Sequence, residues 1–218
     1  MDIASRPLSG KMMGVRQDRK NMAGIILAAG ESRRMGTANK LLEDINGISM
    51  IRKVTETTLA SHLDSVFLVL GHDAELVAKA VRDLPVTLMF NPDYQQGQSQ
   101  SIRYGIECLN KNMTDVLIAL GDMPQVSTKL INQLIDHHLQ CQNSNNHITV
   151  PEYKGKSGNP VIWGKAFFKD LKALSGDMGG RALFHAHAAA MNPCMVDEDA
   201  VLKDIDTVEM LDMLRKTT

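Results

Sequence analysis

Short apolar segments alternate with longer segments of mixed polarity over the first 140 residues, and this alternation restricts the possible folds more than any other feature. The apolar segments have the length and composition of buried strands, and they read MAGIILA, VFLVLG, PVTLMFN and DVLIALGD. We predict helices between and after them, at about 49–61, 74–82, 99–109 and 129–139. A helix that leads from each strand to the next is typical of parallel pairing with right-handed crossovers. The expected fold class is α/β, with a mostly parallel, Rossmann-like sheet.

The remainder of the chain is less regular. A polar stretch precedes ITVPEY, a KGKSGN turn precedes PVIW, and Gly and Pro interrupt the later helices. The 218 residues suffice for one domain with a core and are few for two, so we assign this part to the same sheet. We predict one three-layer domain over 22–218. Residues 1–21 are basic and mixed and lack the apolar core of a secretory signal, and we expect them to form a disordered extension.

Composition and charge restrict the partners of the chain. A formal net charge of -1 and an aromatic content of 4% give no reason to expect binding to nucleic acid or to an anionic membrane. No apolar run approaches the roughly 18 residues of a membrane helix. The three cysteines are too far apart in sequence to form a zinc knuckle or a CxxC pair. We therefore expect a cytoplasmic protein with a small-molecule partner.

A glycine-containing stretch, LAAGESRRMG, follows the first predicted strand, where open parallel sheets bind their ligands. Small residues at Ala28, Ala29 and Gly30 would let the backbone approach an anion, and Arg34 and Lys40 would supply the charge that a polyphosphate requires. A solvated turn with surface arginines is the alternative. The stretch does not fit GxGxxG and lacks the Walker GK[ST] ending, which disfavours a Rossmann dehydrogenase.

LAAGESRRMGTANK resembles the signature LAAGxSxRMGxxK of the MobA-like nucleotidyltransferase family, as found in molybdenum cofactor cytidylyltransferases of the MocA type. The resemblance extends over about 23–211, through NPDYQQGQSQSIRYGI, LIALGDMP, GNPVIW, GDMGGRAL and DIDTVEML in the family order. It implies a fold of the nucleotide-diphospho-sugar transferase type. It also implies that the stretch from Leu27 to Gly30 binds the nucleotide and that Arg34 and Lys40 neutralise the triphosphate.

A metal site is expected at Asp122, which follows the apolar strand VLIAL. A carboxylate beside a polyphosphate would repel it unless a cation lay between them, and Mg²⁺ prefers one or two carboxylates plus phosphate oxygens. DIDTVEML offers Asp204 and Asp206 as a second ligand, and the family pattern DxDTPEDL points to Asp206. A Gly-Asp turn at Asp122 and a helix start at Asp206 are the alternatives. Val208 and Met210 depart from the Pro and Asp of the family.

Two further regions are candidates for substrate contacts. QQGQSQS clusters amides and hydroxyls around a glycine, and the resemblance implies that this region binds the nucleobase and ribose. A polar loop capped by a serine is the alternative. GKSGNPVIW and GDMGGRAL would line the acceptor side, although ordinary turns, caps and helices also explain them. The candidate nucleoside contacts are Gly97, Ser99 and Ser101, and the candidate acceptor contacts are Asn159, Asp177 and Arg181.

We interpret the chain as an Mg²⁺-dependent nucleotidyltransferase that transfers a nucleoside monophosphate from an NTP to a phosphorylated acceptor and releases pyrophosphate. The Ala-Ala-Gly form of the first loop is more similar to cytidine-using members, which favours CTP. Likeness to the MocA type implies molybdopterin as the acceptor and contact with a molybdoenzyme. Two alternatives remain open. One is a nucleotidyltransferase for sugar phosphates or methylerythritol phosphate, and the other is a catalytically silent nucleotide-binding chaperone for a molybdoenzyme.

Overall fold

The structure is a computed structural model that describes residues 21–31 and 39–217. The prediction of an extension over 1–21 falls, except for Asn21, outside the described residues, as does the position of Arg34. Within the described ranges the chain forms ten strands and six α-helices. The strands are β1 (Met22–Ala28), β2 (Asp44–Ile45), β3 (Ile48–Ser49), β4 (Ser65–Leu70), β5 (Thr87–Phe90), β6 (Asp115–Leu120), β7 (Ile148–Tyr153), β8 (Lys156–Ser157), β9 (Val161–Gly164) and β10 (Met191–Met195). The helices are α1 (Met50–Leu59), α2 (Ala74–Ala80), α3 (Gln98–Glu107), α4 (Thr128–Leu139), α5 (Phe168–Ala173) and α6 (Val208–Thr217).

The main sheet has the strand order β10-β7-β9-β6-β1-β4-β5, and β8 pairs with β7. Strands β1, β4, β5 and β6 pair in parallel, as the alternating pattern predicts. Strand β9 is antiparallel to both of its neighbours, and β10 is parallel to β7. The mostly parallel α/β sheet is thus confirmed, and the later part of the chain extends the same sheet.

Helices cover both faces of the sheet, which gives the predicted three layers. Strand β1 is central, and all seven of its residues are buried because apolar side chains pack on both sides of it. Ile26 points into a core that includes residues of α1, α2, α4 and α6, whereas Ile25 points into one with residues of α3 and α5. Within the described residues, no helix is both long enough and apolar enough to cross a membrane.

Two small β elements were not predicted, one of them outside the main sheet. Strands β2 and β3 form a hairpin whose turn has positive φ at Asn46 and Gly47, a residue pair that is itself a hairpin signal. Strand β10 contains Pro193, which removes one backbone donor and argues against a strand. The strand lies at the edge of the sheet, where a missing donor is tolerated.

Parallel pairing brings the ends of the central strands to one edge. Leu27 of β1 lies opposite Leu120 of β6, so the segments after both strands begin side by side. Strands β4 and β5 end at the same edge, because Ala28 pairs with Leu70 and Leu70 pairs with Phe90. This edge carries the segments in which the sequence predicts ligand contacts.

Candidate active site

A cleft of about 670 Å³ lies at the carboxyl ends of β1 and β6. It contains predicted residues from the first loop, the middle loop and both carboxylate segments. Its described lining residues are Leu27, Ala29, Gly30, Glu31, Lys40, Leu41, Tyr94, Gln95, Gln96, Gly97, Gln98, Ser101, Leu120, Asp122, Asp177, Asp204 and Asp206. Five of them are acidic, so a second cation besides Lys40 would be favourable in this cleft.

The described part of the first loop contributes Ala29, Gly30 and Glu31 to this cleft. Ala29 and Gly30 line it, whereas the side chain of Ala28 is 1% exposed and packs in the core below. The carbonyl of Ala29 accepts a hydrogen bond from the backbone N–H of His72, which fixes the loop against the segment after β4. The predicted role of Arg34 concerns a residue outside the described part of the chain, so it stays a prediction.

Lys40 reaches the centre of the cleft from a short 3₁₀ turn, Lys40–Leu42. Buried Asn39 precedes this turn, and its side-chain oxygen accepts a hydrogen bond from Leu41 N at 3.1 Å. The Lys40 ammonium lies 2.7 Å from Asp122 Oδ2 and 2.7 Å from Asp206 Oδ1. Lys40 and the two carboxylates that the sequence selected are therefore brought together.

Asp122 and the acidic segment near the end of the chain are held together by their backbones. The carbonyl of Asp122 accepts from Ile205 N at 2.9 Å, which places Asp204 and Asp206 on either side of this hydrogen bond. One oxygen from each of the three aspartates lies within 4.8 Å of the others. Asp204 is thus a third candidate ligand, and the DID spacing that put it forward gave no way to choose between the two acids of that segment.

The charges in this cluster are only partly balanced. Burial raises the pKa of Asp122, the Lys40 ammonium acts in the opposite direction, and Asp204 raises the pKa further. For Lys40, burial alone would lower the pKa, but Asp122 and Asp206 outweigh it, and the pKa is raised. The pKa values of both Asp122 and Lys40 are thus raised, as expected for a partly buried site with an excess of negative charge.

The residues present fit a divalent cation. Asp122 Oδ1 is buried and finds no hydrogen-bond partner among the described residues, although buried carboxylate oxygens are normally paired. Three carboxylate oxygens close to one another and an adjoining cleft suit a hard cation such as Mg²⁺, which uses oxygen ligands from protein and substrate together.

The middle loop divides the predicted nucleoside contacts between two roles. Gly97 has φ 105° and approaches Gly176 so closely that a Cβ there would lie 2.6 Å from its carbonyl oxygen. Ser99 is fully buried, and its hydroxyl donates to the Gly176 carbonyl at 2.6 Å. Ser101 lines the cleft and accepts from Asn91 Nδ2 at 3.2 Å, which directs its own proton elsewhere. Ser101 is therefore placed to contact a ligand, whereas Ser99 connects the start of α3 to the segment that contains Gly176.

A second cavity of about 330 Å³ adjoins the cleft and shares Leu27, Gln98 and Leu120 with it. Asn159 and Arg181, both predicted on the acceptor side, line this cavity. The remaining described lining residues are mostly apolar or small: Ile102, Ile118, Val161, Trp163, Met178, Gly179, Gly180 and Ala182.

The wall between the two spaces is formed by the segment around Asp177. Asp177 lines the larger cleft, and its Oδ1 accepts from the backbone N–H of Gln98 at 3.3 Å. Arg181 donates to the carbonyl of Ser157 at 2.9 Å. Gln98 and Trp163 line these spaces but were not selected from the sequence, because a glutamine in a polar loop and a tryptophan in an apolar strand have ordinary structural explanations.

Fold and site together define a class: an open α/β domain with a glycine-containing loop after its first strand, a half-buried lysine and a cluster of carboxylates at one edge of the sheet. The MobA-like NTP transferase domain model matches residues 24–191, and the chain belongs to this family. It is a nucleotidyltransferase of the MobA-like family, as the sequence resemblance predicted.

Curated relatives carry different names. PucB, the purine catabolism protein of Bacillus subtilis (strain 168), is 29% identical over 204 residues, which cover 89% of this chain and 96% of PucB. Nicotine blue oxidoreductase of Paenarthrobacter nicotinovorans is 24% identical over 87% of this chain and 94% of that protein. Bifunctional protein GlmU of Staphylococcus saprophyticus is 29% identical over 65% of this chain, and the match spans only 30% of GlmU.

Solved structures share the fold at low sequence identity. Rv0371c from Mycobacterium tuberculosis H37Rv has a TM-score of 0.78 at 24% identity, covering 91% of this chain and 99% of that one. Its manganese complex has a TM-score of 0.77 at 23% identity, with the same coverage of 91% and 99%. A CMP:2-keto-3-deoxy-manno-octonic acid synthetase complexed with CTP has a TM-score of 0.73 at 13% identity, covering 90% and 98%. These neighbours confirm the nucleotide-diphospho-sugar transferase type of fold.

Proposed function

We propose that this protein transfers a cytidylyl group from CTP to the phosphate of molybdopterin or its molybdenum-loaded form, with Mg²⁺ as the cofactor. The observation that carries the proposal is that two spaces adjoin. The acidic cleft with Lys40 shares Leu27, Gln98 and Leu120 with a smaller cavity of different chemistry. Such an arrangement suits two substrates that meet at one point, one highly charged and one with a flat ring system.

The larger space suits a nucleoside triphosphate. The backbone at Ala29 and Gly30 lines it, Lys40 supplies a cation, and Arg34 is proposed to add another. The amides of Gln95 and Gln96 and the hydroxyl of Ser101 provide donors and acceptors for a base or ribose. The choice of CTP rests on the Ala-Ala-Gly form of the first loop, and a structural neighbour of this fold is complexed with CTP.

Asp122 and Asp206, with Asp204 beside them, would hold Mg²⁺. When bound, Mg²⁺ neutralises phosphate oxygens and stabilises charge that develops at the α-phosphorus. A manganese complex of another protein with this fold is consistent with a divalent metal here. The carboxylates keep the cation in the cleft, and Lys40 remains within reach of the phosphates.

The proposed reaction is an in-line displacement. An oxygen of the acceptor phosphate forms a bond to the α-phosphorus of CTP, the bond from that phosphorus to the α,β-bridging oxygen breaks, and pyrophosphate leaves with the electron pair. The acceptor phosphate is already ionised near neutral pH, so the chain needs no strong general base. Lys40 and Arg34 hold the departing pyrophosphate, and the walls of the two spaces align the reactants.

The smaller cavity favours an acceptor with a flat ring system over a sugar phosphate. Trp163, Ile102, Ile118 and Val161 line it, and a hexose would leave most of its hydroxyls without partners against such a surface. A pterin ring could pack against these side chains and form a few hydrogen bonds with Asn159 or Gln98. We therefore favour molybdopterin over sugar phosphates or methylerythritol phosphate, with release of the product to a molybdoenzyme in the cytoplasm.

Pyrophosphate release tests the proposal. The purified protein is incubated with Mg²⁺, with CTP, GTP or ATP, and with one acceptor at a time: molybdenum-loaded molybdopterin, a sugar phosphate or methylerythritol phosphate. The nucleotide product is identified by mass spectrometry. Release with CTP and formation of the cytosine dinucleotide support the proposal. Release only with a sugar phosphate or methylerythritol phosphate contradicts the acceptor, release with GTP alone contradicts the nucleotide, and no release with any pair contradicts transfer.

A further inference from the structure

The ammonium of Lys40 lies between the carboxylates that would hold the metal. Its Nζ is 2.7 Å from Asp122 Oδ2 and 2.7 Å from Asp206 Oδ1. Mg²⁺ binds oxygen at about 2.0–2.1 Å, so an ion that bridged these two oxygens would lie in the space that the ammonium now holds. The ammonium and a bridging divalent cation would also repel each other at this distance. Lys40 and the metal therefore compete for the same two carboxylates.

The backbone around Lys40 is fixed, so the competition depends on its side chain. Asn39 is 6% exposed and accepts from Leu41 N, and the carbonyls of Asn39 and Lys40 accept from Leu42 N and Glu43 N. These hydrogen bonds hold the turn while the four-carbon stem of the lysine can change rotamer. The ammonium can thus leave the carboxylates without a change of fold.

Charge in the cleft determines when the ammonium would leave. Lys40 is the only basic side chain among the described lining residues, against five acidic ones. A nucleotide polyphosphate offers the ammonium new anionic partners in the same cleft, and it also brings oxygens that complete the shell of a metal ion. The metal alone offers neither.

We propose that Lys40 is a resident counter-cation, which occupies the metal position in the ligand-free cleft and keeps divalent cations weakly bound until nucleotide phosphates draw it away. The metal then enters together with the nucleotide and not before it. This inference rests on the proposed function in that it takes the incoming anion to be a nucleotide and takes Asp122 and Asp206 to be metal ligands. The displacement of the metal by Lys40 concerns the ligand-free protein alone.

Binding of Mn²⁺ alone tests the proposal, with free Mn²⁺ measured by electron paramagnetic resonance in the absence of nucleotide. We expect Lys40→Gln and Lys40→Met to bind Mn²⁺ at least about tenfold more tightly than the wild-type protein, since the competing charge is gone. Lys165→Gln is the matched control, because its ammonium donates to the carbonyl of Lys111 away from the cleft, and we expect wild-type affinity. Adding Asp122→Asn to Lys40→Gln should remove the gain.

Three outcomes would overturn the proposal. The first is an Mn²⁺ affinity of the Lys40 variants that equals or falls below that of the wild-type protein. The second is a gain of the same size in Lys165→Gln, and the third is a gain that survives Asp122→Asn. Circular dichroism establishes that each variant is folded. Because this measurement uses neither nucleotide nor turnover, failure of the Lys40 inference and failure of cytidylyl transfer are seen in separate experiments.

Discussion

Strand β6 has an aspartate at its first residue and another just beyond its last, and the two carboxylates have opposite surroundings. Asp115, at the amino end, is fully buried, and its oxygens contact His138 Nε2 at 3.0 Å and the Thr114 hydroxyl at 2.8 Å. Asp122, beyond the carboxyl end, is 18% exposed, contacts Lys40 through one oxygen, and has its other oxygen buried without a partner among the described residues. Asp115 therefore has a partner for each oxygen, whereas Asp122 has a partner for only one of its oxygens among the described residues.

The network around Asp115 links four side chains. Asn192 Nδ2 donates to the hydroxyl of Thr149 at 2.9 Å, and that hydroxyl lies 2.7 Å from His138 Nδ1. Because a carboxylate only accepts, His138 Nε2–H is the donor to Asp115. The arrangement resembles a catalytic triad in composition, but its Thr149 and His138 are fully buried. We infer that Asp115, at the amino end of β6, serves stability. Asp122, beyond the carboxyl end, has one oxygen without a partner among the described residues and is available to a ligand.

The largest effect is expected from Asp122→Asn. The amide keeps the shape of the side chain and can still accept from Lys40, but it removes the charge that would hold the metal. We expect transfer to fall by about 100-fold or more, with the free energy of unfolding within about 1 kcal/mol of the wild-type value, since a buried charge is lost as well. Pyrophosphate release and urea unfolding measure the two quantities. Full activity of this variant would contradict the metal assignment.

The opposite result is expected from Asp115→Ala. Removal of this carboxylate leaves the Nε2–H of His138 buried without an acceptor, which costs about 3 kcal/mol of unfolding free energy. The matched variant Asp115→Asn keeps an oxygen for His138 and should lose less. Urea unfolding measures the difference, and activity per folded molecule should stay close to wild type. A stable Asp115→Ala protein without activity would contradict the assignment of a structural role to Asp115 and of a ligand-binding role to Asp122.

Two serines that lie two residues apart on α3 test the same difference between a stabilising residue and a ligand-binding residue. Ser99→Ala loses the buried hydrogen bond to Gly176 and should cost about 1 kcal/mol of stability with little change in the KM for nucleotide. Ser101→Ala removes a hydroxyl that lines the cleft and should raise that KM by roughly three- to tenfold with little loss of stability. Thermal unfolding and steady-state kinetics distinguish them. The exchange of these two results would place the nucleoside contact at Ser99.

Sequence reasoning predicted the regular part of this molecule and the residues that meet at the open edge. The four apolar strands and the position of Asp122 follow from periodicity and from the rule that parallel strands end together. The position of Asp206 was predicted from the family likeness. Asp204 joins it because Ile205 N donates to the carbonyl of Asp122, a backbone hydrogen bond that no sequence pattern predicts. The burial of Ser99 could not be predicted, because its partner Gly176 is 77 residues away, in the irregular segment that follows α5. Strand β10 was not predicted, because Pro193 argues against a strand and only an edge strand tolerates it.

The smallest effect is expected from Arg181→Met, which tests the acceptor side. Arg181 is exposed and lines the smaller cavity, and its guanidinium donates to the Ser157 carbonyl. It is therefore partly paired, as Asp122 is, but more open to solvent than either aspartate. A solvent-exposed cation of this kind contributes up to about 1 kcal/mol, so we expect the acceptor KM to rise by at most about fivefold. The KM for CTP and the free energy of unfolding should not change. A rise in the KM for CTP alone would instead assign Arg181 to the nucleotide.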